Sequence, residues 1–293
     1  MFKNIGWIGT GVMGKNMCKH LIHKNFDLNI FNRTATKAQE LQGLGANFMQ
    51  PEEIAKKSKV IFLMLGYPED VENMVFQKLY PHLQKGQIIV DHTTSSPDLA
   101  AHIYQELKKK QVISVDAPVT GGDIGAIKGT LTIMCGGPEK TVEDLKTPMN
   151  CYASNINYIG EAGMGQHCKL GNQIVIASNM IATVEGLLYA HKAGLDLNRF
   201  IDIIKNGSAG SSALMNLGPR MVRGDFEPGF YVEHFIKDMD LALKECEKMN
   251  LKLPGLEQSR TFYQRLVEKG AGKDGTQAII KVLEELNGFT IRD

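Results

Sequence analysis

The stretch IGWIGTGVMGKNMCKHLI, residues 5–22, decides the fold of the N-terminal half. It runs from a short apolar strand pattern, through three glycines spaced G-x-G-x-x-G, into a segment of helical period. Between a strand and a helix, such glycines permit a tight turn, close approach of backbone to a pyrophosphate, and close helix-to-strand packing. The alternative is a glycine turn without a ligand. The motif predicts a dinucleotide-binding turn with these contacts: Gly9, Thr10, Gly11, Val12, Met13 and Gly14.

The strand-then-helix pattern recurs up to about residue 160. The apolar runs are KNIGWIG, DLNIF, KVIFLML, QIIVD and VISVDAPV, with TLTIMCGG and INYIG after them. A polar segment of helical period follows each of the first five, which is the rhythm of a parallel sheet with crossover helices. The sequence therefore predicts an α/β fold, with a Rossmann-type dinucleotide-binding domain over residues 1–162.

After Gly165 the strand patterns stop and only helical periodicity remains. The predicted helices span 166–193, 197–205, 211–222, 231–249, 256–270 and 275–287. We therefore expect residues 163–293 to form an all-α C-terminal domain, joined to the first domain by the long helix that opens it. Since that helix is apolar on most faces, it is expected to be buried in protein, with Glu185 as a paired interior charge.

Composition and charge exclude several classes of function. Thirty-three basic and 32 acidic residues give a net charge of +1 without basic clusters, which disfavours nucleic acid as a partner. Polar residues interrupt the apolar stretch 170–190, which disfavours a membrane span. The five cysteines lie far apart and no metal-ligand motif occurs, so we expect no disulfide framework and no metal. Without a secretory signal pattern, a cytoplasmic location is expected.

The end of the second strand bears on the choice of cofactor. An NAD-selective fold usually has an acidic residue there, to bind the ribose 2′-hydroxyl, but this chain has Asn32, Arg33 and Thr34. Arg33 can bind a 2′-phosphate with its planar guanidinium, and Thr34 and Lys37 can add donors. The sequence favours NADP, with NAD as the alternative.

Two later strand ends should face the same crevice, because ligands bind beyond the carboxyl ends of parallel strands. Met64, Leu65 and Gly66 end the fourth strand as expected cofactor contacts. Thr94 follows the fifth, and Ser96 before Pro97 is read as a helix cap. Farther on, Thr120, Gly121 and Gly122 offer a hydroxyl and two unobstructed backbone N–H groups, which suits a carboxylate; the alternative is a flexible loop.

The opening of the long helix carries an unusual polar face. Lys169, Asn172 and Gln173 are related as i, i+3 and i+4, so their side chains lie on one face. A lysine buried without a partner is costly, so this face is expected to line a polar cleft rather than the core. The alternative is a lysine that extends to solvent near the helix end.

Taken together, several motifs resemble the β-hydroxyacid dehydrogenase family. They are the glycine turn followed by NRT, DHTTSSP, DAPVTGG-x-x-GA-x-x-GTL, GMGQHCKLGNQ and HFIKDMDLAL. The similarity covers nearly the whole chain and is greatest to 3-hydroxyisobutyrate dehydrogenases and the related semialdehyde and glyoxylate reductases. Two departures stand out: LGYPED lacks a proline directly after the leucine, and His92 stands where relatives carry a small residue or methionine.

The resemblance implies a role for each matched residue. Lys169 would be the general acid and base, with Asn172 beside it, and Thr120, Gly121 and Gly122 would hold the substrate carboxylate. Thr94 would lie beside the nicotinamide, and Lys237 and Asp238 would close the site on the cofactor and substrate sides. We place Gln173 with the substrate contacts, and Phe230 among the residues that select the substrate.

The expected activity is reversible hydride transfer between NADP(H) and a short hydroxy acid or semialdehyde. Candidate carbonyl substrates are methylmalonate, tartronate and succinate semialdehydes and glyoxylate. The chain is short for a decarboxylating sugar-acid dehydrogenase, and Lys169 argues against an imine reductase. The remaining alternative is an NADP-binding regulatory protein without turnover. The large apolar surface of the helical half suggests a homodimer or homotetramer.

Overall fold

The computed structural model describes residues 2–292. The chain divides into two compact units, Met1–Lys169 and Leu170–Asp293. The division falls inside one continuous helix, which starts in the first unit and runs into the second.

The first unit is built on a mixed sheet of nine strands. The strands are β1 (Asn4–Ile8), β2 (Asp27–Phe31), β3 (Asn47–Phe48), β4 (Val60–Leu63), β5 (Ile88–Asp91), β6 (Ile113–Asp116), β7 (Val119–Thr120), β8 (Leu131–Gly136) and β9 (Ala153–Gly160). Their order begins β3-β2-β1-β4-β5-β6, all parallel, which is the dinucleotide-binding arrangement. The strand order reverses between β1 and β4, and this fold binds its ligands at such a switch point. The predicted α/β class and Rossmann-type domain are confirmed.

The sheet departs from the predicted one beyond β6. The run VISVDAPV was expected to form one strand, but β6 ends at Asp116 and a separate short β7 follows. Pro118 lies between them and lacks the N–H that a ladder needs. Strand β7 pairs antiparallel with β8, and β8 pairs parallel with β9. The two-residue β3 was not predicted, because two residues carry no periodicity.

Helices cover both faces of this sheet. They are α1 (Val12–His23), α2 (Gln39–Gly43), α3 (Pro51–Lys57), α4 (Pro68–Asn73), α5 (Pro97–Lys109), α6 (Gly122–Lys128) and α7 (Glu139–Met149). Prolines stand in the first turn of α3, α4 and α5, where no N–H is needed. The predicted cap is confirmed, since Ser96 Oγ accepts a 3.4 Å hydrogen bond from the N–H of Leu99.

The second unit is helical over its described residues, as predicted. Its helices are the main part of α8 (Met164–Lys192), then α9 (Leu197–Ile204), α10 (Gly218–Arg223), α11 (Val232–Lys248), α12 (Pro254–Glu268) and α13 (Ile280–Asn287). A π-helical turn, Ala213–Leu217, precedes α10, and a 3-10 turn, Thr276–Ile279, precedes α13. Two helices that the sequence predicted as single segments are therefore composite. Met180, Phe235 and Tyr263 lie in the core of this unit.

One face of α8 is exposed, which the apolar sequence did not predict. By length and composition the helix could cross a membrane, and 39% of its most apolar window is buried. The exposed positions follow a spacing of four and three residues: Gly171, Val175, Ser178, Ala182, Glu185 and Tyr189. The prediction of Glu185 as an interior charge is wrong. The average hydropathy of the helix does not reveal this exposed stripe, because small and apolar residues occupy most of its positions.

Candidate active site

Glycine suits the three motif positions of the first turn for three different physical reasons. Gly9 has a φ of +101°, and a Cβ on it would lie 2.1 Å from the carbonyl oxygen of Met64. A Cβ on Gly14 would lie 2.0 Å from the Gly9 carbonyl oxygen, so α1 packs directly on the turn. A Cβ on Gly11 would meet nothing within 4 Å. Its side faces open space, which leaves the backbone accessible to a ligand.

The N-terminus of α1 fits the pyrophosphate of a dinucleotide. Gly11 is its N-cap residue and makes no side-chain cap, and the first turn holds no acidic residue. Helix N-termini present backbone N–H groups and partial positive charge, which favour an anion. Of the other predicted contacts in this turn, Val12 is 46% exposed and Met13 is half-buried.

The segment after β2 is fixed by the side chain of Asn32. Its Oδ1 accepts a 2.9 Å hydrogen bond from the N–H of Thr10, and its Nδ2 donates to the carbonyl of Thr34 at 2.9 Å. Thr10 Oγ1 also donates to the carbonyl of Lys37 at 3.3 Å. These bonds hold the β2 exit against the glycine turn, so Asn32 acts on the shape of the cofactor site.

Arg33 is held outward by an acidic partner that sequence reasoning missed. Its side chain is 89% exposed and its Nη1 lies 3.5 Å from Oδ1 of Asp70 in α4. Exposed ion pairs of this kind are weak. A 2′-phosphate can therefore replace Asp70 as the partner of the guanidinium.

The ends of β4 and β5 are joined by Thr93. Its Oγ1 accepts a 2.9 Å hydrogen bond from the N–H of Leu65, and its own N–H donates to Asp91 Oδ1 at 2.9 Å. Thr93 is buried, so its hydroxyl has a structural role. Thr94, like Met64, is half-buried, and Gly66 follows in the same turn; these three remain predicted cofactor contacts.

His92 lies in a fully buried aromatic cluster directly behind this strand end. Its ring is within 6 Å of those of Trp7, Phe62 and Tyr152. Nδ1 lies 2.6 Å from the carbonyl of Ala117 and Nε2 lies 2.9 Å from the Tyr152 hydroxyl. A carbonyl only accepts, so Nδ1 carries the proton and Nε2 accepts from Tyr152. Burial lowers the pKa of His92 to about 4, so the ring is neutral.

Asp116, at the end of β6, caps the first turn of α8. Oδ1 accepts a 2.8 Å hydrogen bond from the N–H of Gly163, and Oδ2 accepts one of 2.9 Å from the N–H of Gln166. Burial raises the pKa of Asp116 to about 6, and these N–H donors oppose the rise. The sequence placed Asp116 at the strand exit but gave no sign of this cap, which joins residues far apart in the chain.

The shifted pKa values of His92 and Asp116 predict opposite effects of acid on folding stability. Between pH 6.5 and 4 the unfolded chain protonates His92 and the folded protein does not, because its folded pKa is lowered to about 4. As the pH is lowered from 6.5 to 4, this difference reduces folding stability by up to about 3 kcal/mol. Asp116 has a folded pKa of about 6, above its ordinary 3.8, so it binds protons more tightly when folded. Its linkage therefore raises stability as pH falls through 6.

Asp116→Asn should consequently make the protein more sensitive to acid. Removing the titrating carboxyl leaves the loss at His92 uncompensated. Urea unfolding of native protein and variant at pH 7 and pH 4.5 measures the difference. The variant should lose about 2 kcal/mol more than the native protein over that interval. Equal losses would contradict the assigned linkage.

The loop after β7 has the backbone expected for an anion-binding turn. Gly121 and Gly122 have φ angles of +126° and +64°, which favour glycine at both positions. A Cβ on Gly122 would meet nothing within 4 Å, so its backbone faces open space. Thr120 is half-buried at the end of β7. The predicted role of these three residues in carboxylate binding stays a prediction with a geometry that suits it.

Lys169 lies in the second turn of α8 and is only 7% exposed. It belongs to the first unit, and the helix continues from it into Leu170 and the second unit. A buried ammonium in water-poor surroundings interacts strongly with any charge that develops beside it. Lys169 is therefore buried and does not extend to solvent, which was the alternative.

In the second unit the other polar residues form a chain of contacts. Asn172 Nδ2 donates to Gln173 Oε1 at 2.8 Å, and Gln173 Nε2 donates to Asp238 Oδ2 at 2.6 Å. Asp238 is 1% exposed, and its other oxygen lies 2.8 Å from Lys237 Nζ. The Gln173 amide thus orients Asn172 through its own contact with Asp238. Phe230 packs against the rings of His234 and Phe235.

The five cysteines are free, and burial raises the pKa of the Cys135 thiol to about 12. No group of three or more His, Cys, Asp and Glu within residues 2–292 could hold a metal ion.

Known protein families match both parts of the chain. A family model described as the NAD binding domain of 6-phosphogluconate dehydrogenase matches residues 4–160. A second, described as NAD-binding of NADP-dependent 3-hydroxyisobutyrate dehydrogenase, matches residues 163–283.

Similar proteins match over almost their whole length. A protein of Arabidopsis thaliana named probable 3-hydroxyisobutyrate dehydrogenase-like 1, mitochondrial, is 46% identical, over 98% of this chain and 87% of its own. The 2-hydroxy-3-oxopropionate reductase of Escherichia coli is 33% identical, over 96% of this chain and 97% of its own. The structure of Mycobacterium tuberculosis 3-hydroxyisobutyrate dehydrogenase with L-serine is 25% identical. It covers 97% of this chain and 99% of its own, with a TM-score of 0.88. The chain therefore belongs to the β-hydroxyacid dehydrogenase family and is an NAD(P)-dependent oxidoreductase of the 3-hydroxyisobutyrate dehydrogenase type.

Proposed function

We propose that this protein transfers hydride reversibly between NADP(H) and a short hydroxy acid or its semialdehyde, with Lys169 as general acid and base. The observation that carries the proposal is the buried position of Lys169 on α8, one turn before the oriented amide of Asn172. A cationic proton donor on a rigid helix suits a reaction in which an aldehyde oxygen gains negative charge.

The residues present fit a bound NADP. The glycine turn and the uncapped N-terminus of α1 would hold the pyrophosphate, and Arg33 would bind the 2′-phosphate. Thr94 and the turn after β4 would lie against the nicotinamide. When bound in its reduced form, the cofactor supplies the hydride.

The chain's own residues would hold the substrate and move one proton. The backbone N–H groups of Gly121 and Gly122, with the Thr120 hydroxyl, bind the carboxylate. Lys169 Nζ hydrogen-bonds the carbonyl oxygen and donates its proton as negative charge develops there. Asn172 orients the same oxygen. In the oxidative direction Lys169 accepts the hydroxyl proton.

The substrate class follows from the two proposed anchors, one for a carboxylate and one for the oxygen of a carbonyl group. The names of the Arabidopsis and Escherichia coli relatives support substrates of this kind. L-serine, named with the Mycobacterium tuberculosis structure, also carries a hydroxyl β to a carboxylate. Oxidation of NADPH at 340 nm with methylmalonate, tartronate and succinate semialdehydes and with glyoxylate tests the proposal. Absence of turnover with all four, despite tight NADPH binding, would favour a regulatory protein.

Cofactor preference is expected to depend on Arg33. Arg33→Ala should weaken NADPH binding by about 10- to 100-fold, because a charge-assisted pair with the 2′-phosphate is lost. NADH binding should change less than about twofold, since NADH lacks that phosphate. Fluorescence titration with both nucleotides measures the change. Equal losses for NADPH and NADH would show that Arg33 does not contact the 2′-phosphate.

Asp70→Asn serves as the opposing variant. It removes the carboxylate that pairs with Arg33. NADPH affinity should rise by about two- to fivefold, because the guanidinium no longer has to leave Asp70 in order to bind the 2′-phosphate.

We also propose a homodimer or homotetramer. The exposed stripe on α8 includes Val175 at 60% and Tyr189 at 76% exposure, and association of subunits through this stripe would cover both side chains. Light scattering at micromolar concentration should give at least twice the 32.4 kDa of one chain. A mass of one chain would contradict this proposal.

A further inference from the structure

The side chain of Gln166 joins the first turn of α8 to the end of β5. It is fully buried, with 0% exposure. Its Nε2 donates to the carbonyl of Thr93 at 2.8 Å, and its Oε1 accepts from the N–H of Ser95 at 2.9 Å. The amide therefore binds the backbone on both sides of Thr94, the residue expected to lie beside the nicotinamide.

The backbone of the same turn is held by the neighbouring strand. Asp116, at the end of β6, accepts hydrogen bonds from the N–H groups of Gly163 and Gln166. A Cβ on Gly165 would lie 2.5 Å from the carbonyl of Met134, so this turn packs against β8 with no room for a side chain. The start of α8 is thus fixed, within the first unit, to the segment after β5, to the end of β6 and to strand β8.

This arrangement matters because Lys169 is three residues after Gln166, on the next turn of the same helix. A lysine side chain has four rotatable carbons, so its ammonium is placed well only if its backbone is fixed. Proton transfer requires heavy atoms at hydrogen-bond distance, and a misplacement of about 1 Å can cost about 100-fold in rate. The Gln166 amide connects α8, which carries Lys169, to the segment after β5, which is expected to lie beside the nicotinamide. These two segments must keep a fixed relative position for proton transfer.

We infer that Gln166 is a positioning residue that holds Lys169 in register with the cofactor by bridging α8 to the backbone around Thr94. This inference rests on the proposed function, because it presumes that Lys169 transfers the proton. Gln166 makes no proton transfer itself. The competing explanation is that its two hydrogen bonds only stabilise the fold.

A second buried glutamine in the same unit provides a matched control. Gln87 is 5% exposed, and its Nε2 donates to the carbonyls of Ala55 and Ser58, both at 2.6 Å. It lies at the opposite, amino end of β5 and contacts no residue assigned to the site. Methionine has nearly the volume of glutamine, so Gln166→Met and Gln87→Met remove the same hydrogen-bonding groups without opening a cavity.

The experiment combines these variants with Lys169→Ala and measures kcat, KM and NADPH affinity. Gln166→Met should lower kcat by about 30-fold, while KM and NADPH Kd change less than about twofold. In the Lys169→Ala background the same substitution should lower kcat by less than about twofold, because its effect acts through the lysine. Gln87→Met should lower the melting temperature and leave kcat unchanged. An equal fall of kcat in both backgrounds, or none in either, would overturn the inference.

The two hypotheses fail in different ways. If Lys169→Ala keeps native kcat, the proposed role of Lys169 in proton transfer is wrong, whatever Gln166→Met does. Amide hydrogen exchange in the native protein tests the bridge without activity and without a variant that must fold. The N–H of Ser95 should exchange as slowly as amides within β5, because the Gln166 side chain is its acceptor. Exchange of Ser95 at the rate of an exposed loop would show that the bridge does not form.

Discussion

Lys169→Ala is expected to lower kcat for carbonyl reduction by about 1,000-fold or more, the range typical of a lost general acid with its charge. NADPH affinity should stay within about twofold of native, since the assigned cofactor contacts of the first unit are unchanged. His167 and Cys168 cannot replace the lysine, because successive residues on a helix are rotated by about 100°. Single-turnover kinetics with saturating NADPH measures the chemical step directly.

Two further variants make this result specific. Lys192→Ala removes a lysine from the other end of the same helix, where it stacks 3.9 Å from the Phe289 ring, and should leave kcat unchanged. Lys169→Arg keeps the positive charge, but arginine does not release its proton at neutral pH. It should therefore retain less than about a tenth of native activity in the oxidative direction. Native-like turnover by Lys169→Ala would remove Lys169 from proton transfer.

Gly14→Ala is expected to destabilise the first unit severely. The new Cβ would lie 2.0 Å from the Gly9 carbonyl oxygen and 3.0 Å from Trp7 Nε1, which itself donates to that oxygen. Neither neighbour is a flexible side-chain end, so α1 must move away from β1. We expect a loss of about 3 kcal/mol in unfolding free energy, comparable to other overpacked sites. Urea unfolding measures it.

Gly11→Ala is the matched substitution two positions from Gly9. Its Cβ would meet nothing within 4 Å, so stability should change by less than about 1 kcal/mol. The methyl group would nevertheless stand where backbone must approach the pyrophosphate, and NADPH affinity should fall by more than about tenfold. If Gly11→Ala bound NADPH normally, the anion would not lie at this turn. If Gly14→Ala were as stable as native, the close packing of α1 would be wrong.

The sequence predicted the parts of this fold whose cause is local. The glycine turn between β1 and α1 was predicted from local spacing, and the close contacts at Gly9 and Gly14 confirm the packing part of that prediction. The cap at Ser96 followed from the proline after it. Strand β7 was missed because antiparallel pairing with β8 depends on a chain reversal that periodicity does not report. Glu185 was misassigned because an apolar helix average does not indicate which face is covered.

In the candidate site, too, the locally determined features were predicted and the long-range contacts were not. The one-face relation of Lys169, Asn172 and Gln173 follows from helix geometry alone. The acid that caps their helix, Asp116, is 47 residues before its partner Gly163. Asp70 is 37 residues after its partner Arg33. Hydrogen bonds and ion pairs of this kind have no sequence spacing to reveal them. They depend on which strand ends the fold brings together.

The most direct test of the central claim follows the hydride itself. Two preparations of NADPH are used, each deuterated at C4 of the nicotinamide as a single epimer. The protein is incubated with each preparation and with each of the four carbonyl acids. Mass spectrometry then identifies the hydroxy acid formed. We predict one deuterium in the hydroxy acid from at least one substrate and from one epimer only, and no product above background with Lys169→Ala. NADPH consumption that yields no deuterated hydroxy acid from either epimer would contradict hydride transfer to a carbonyl acid.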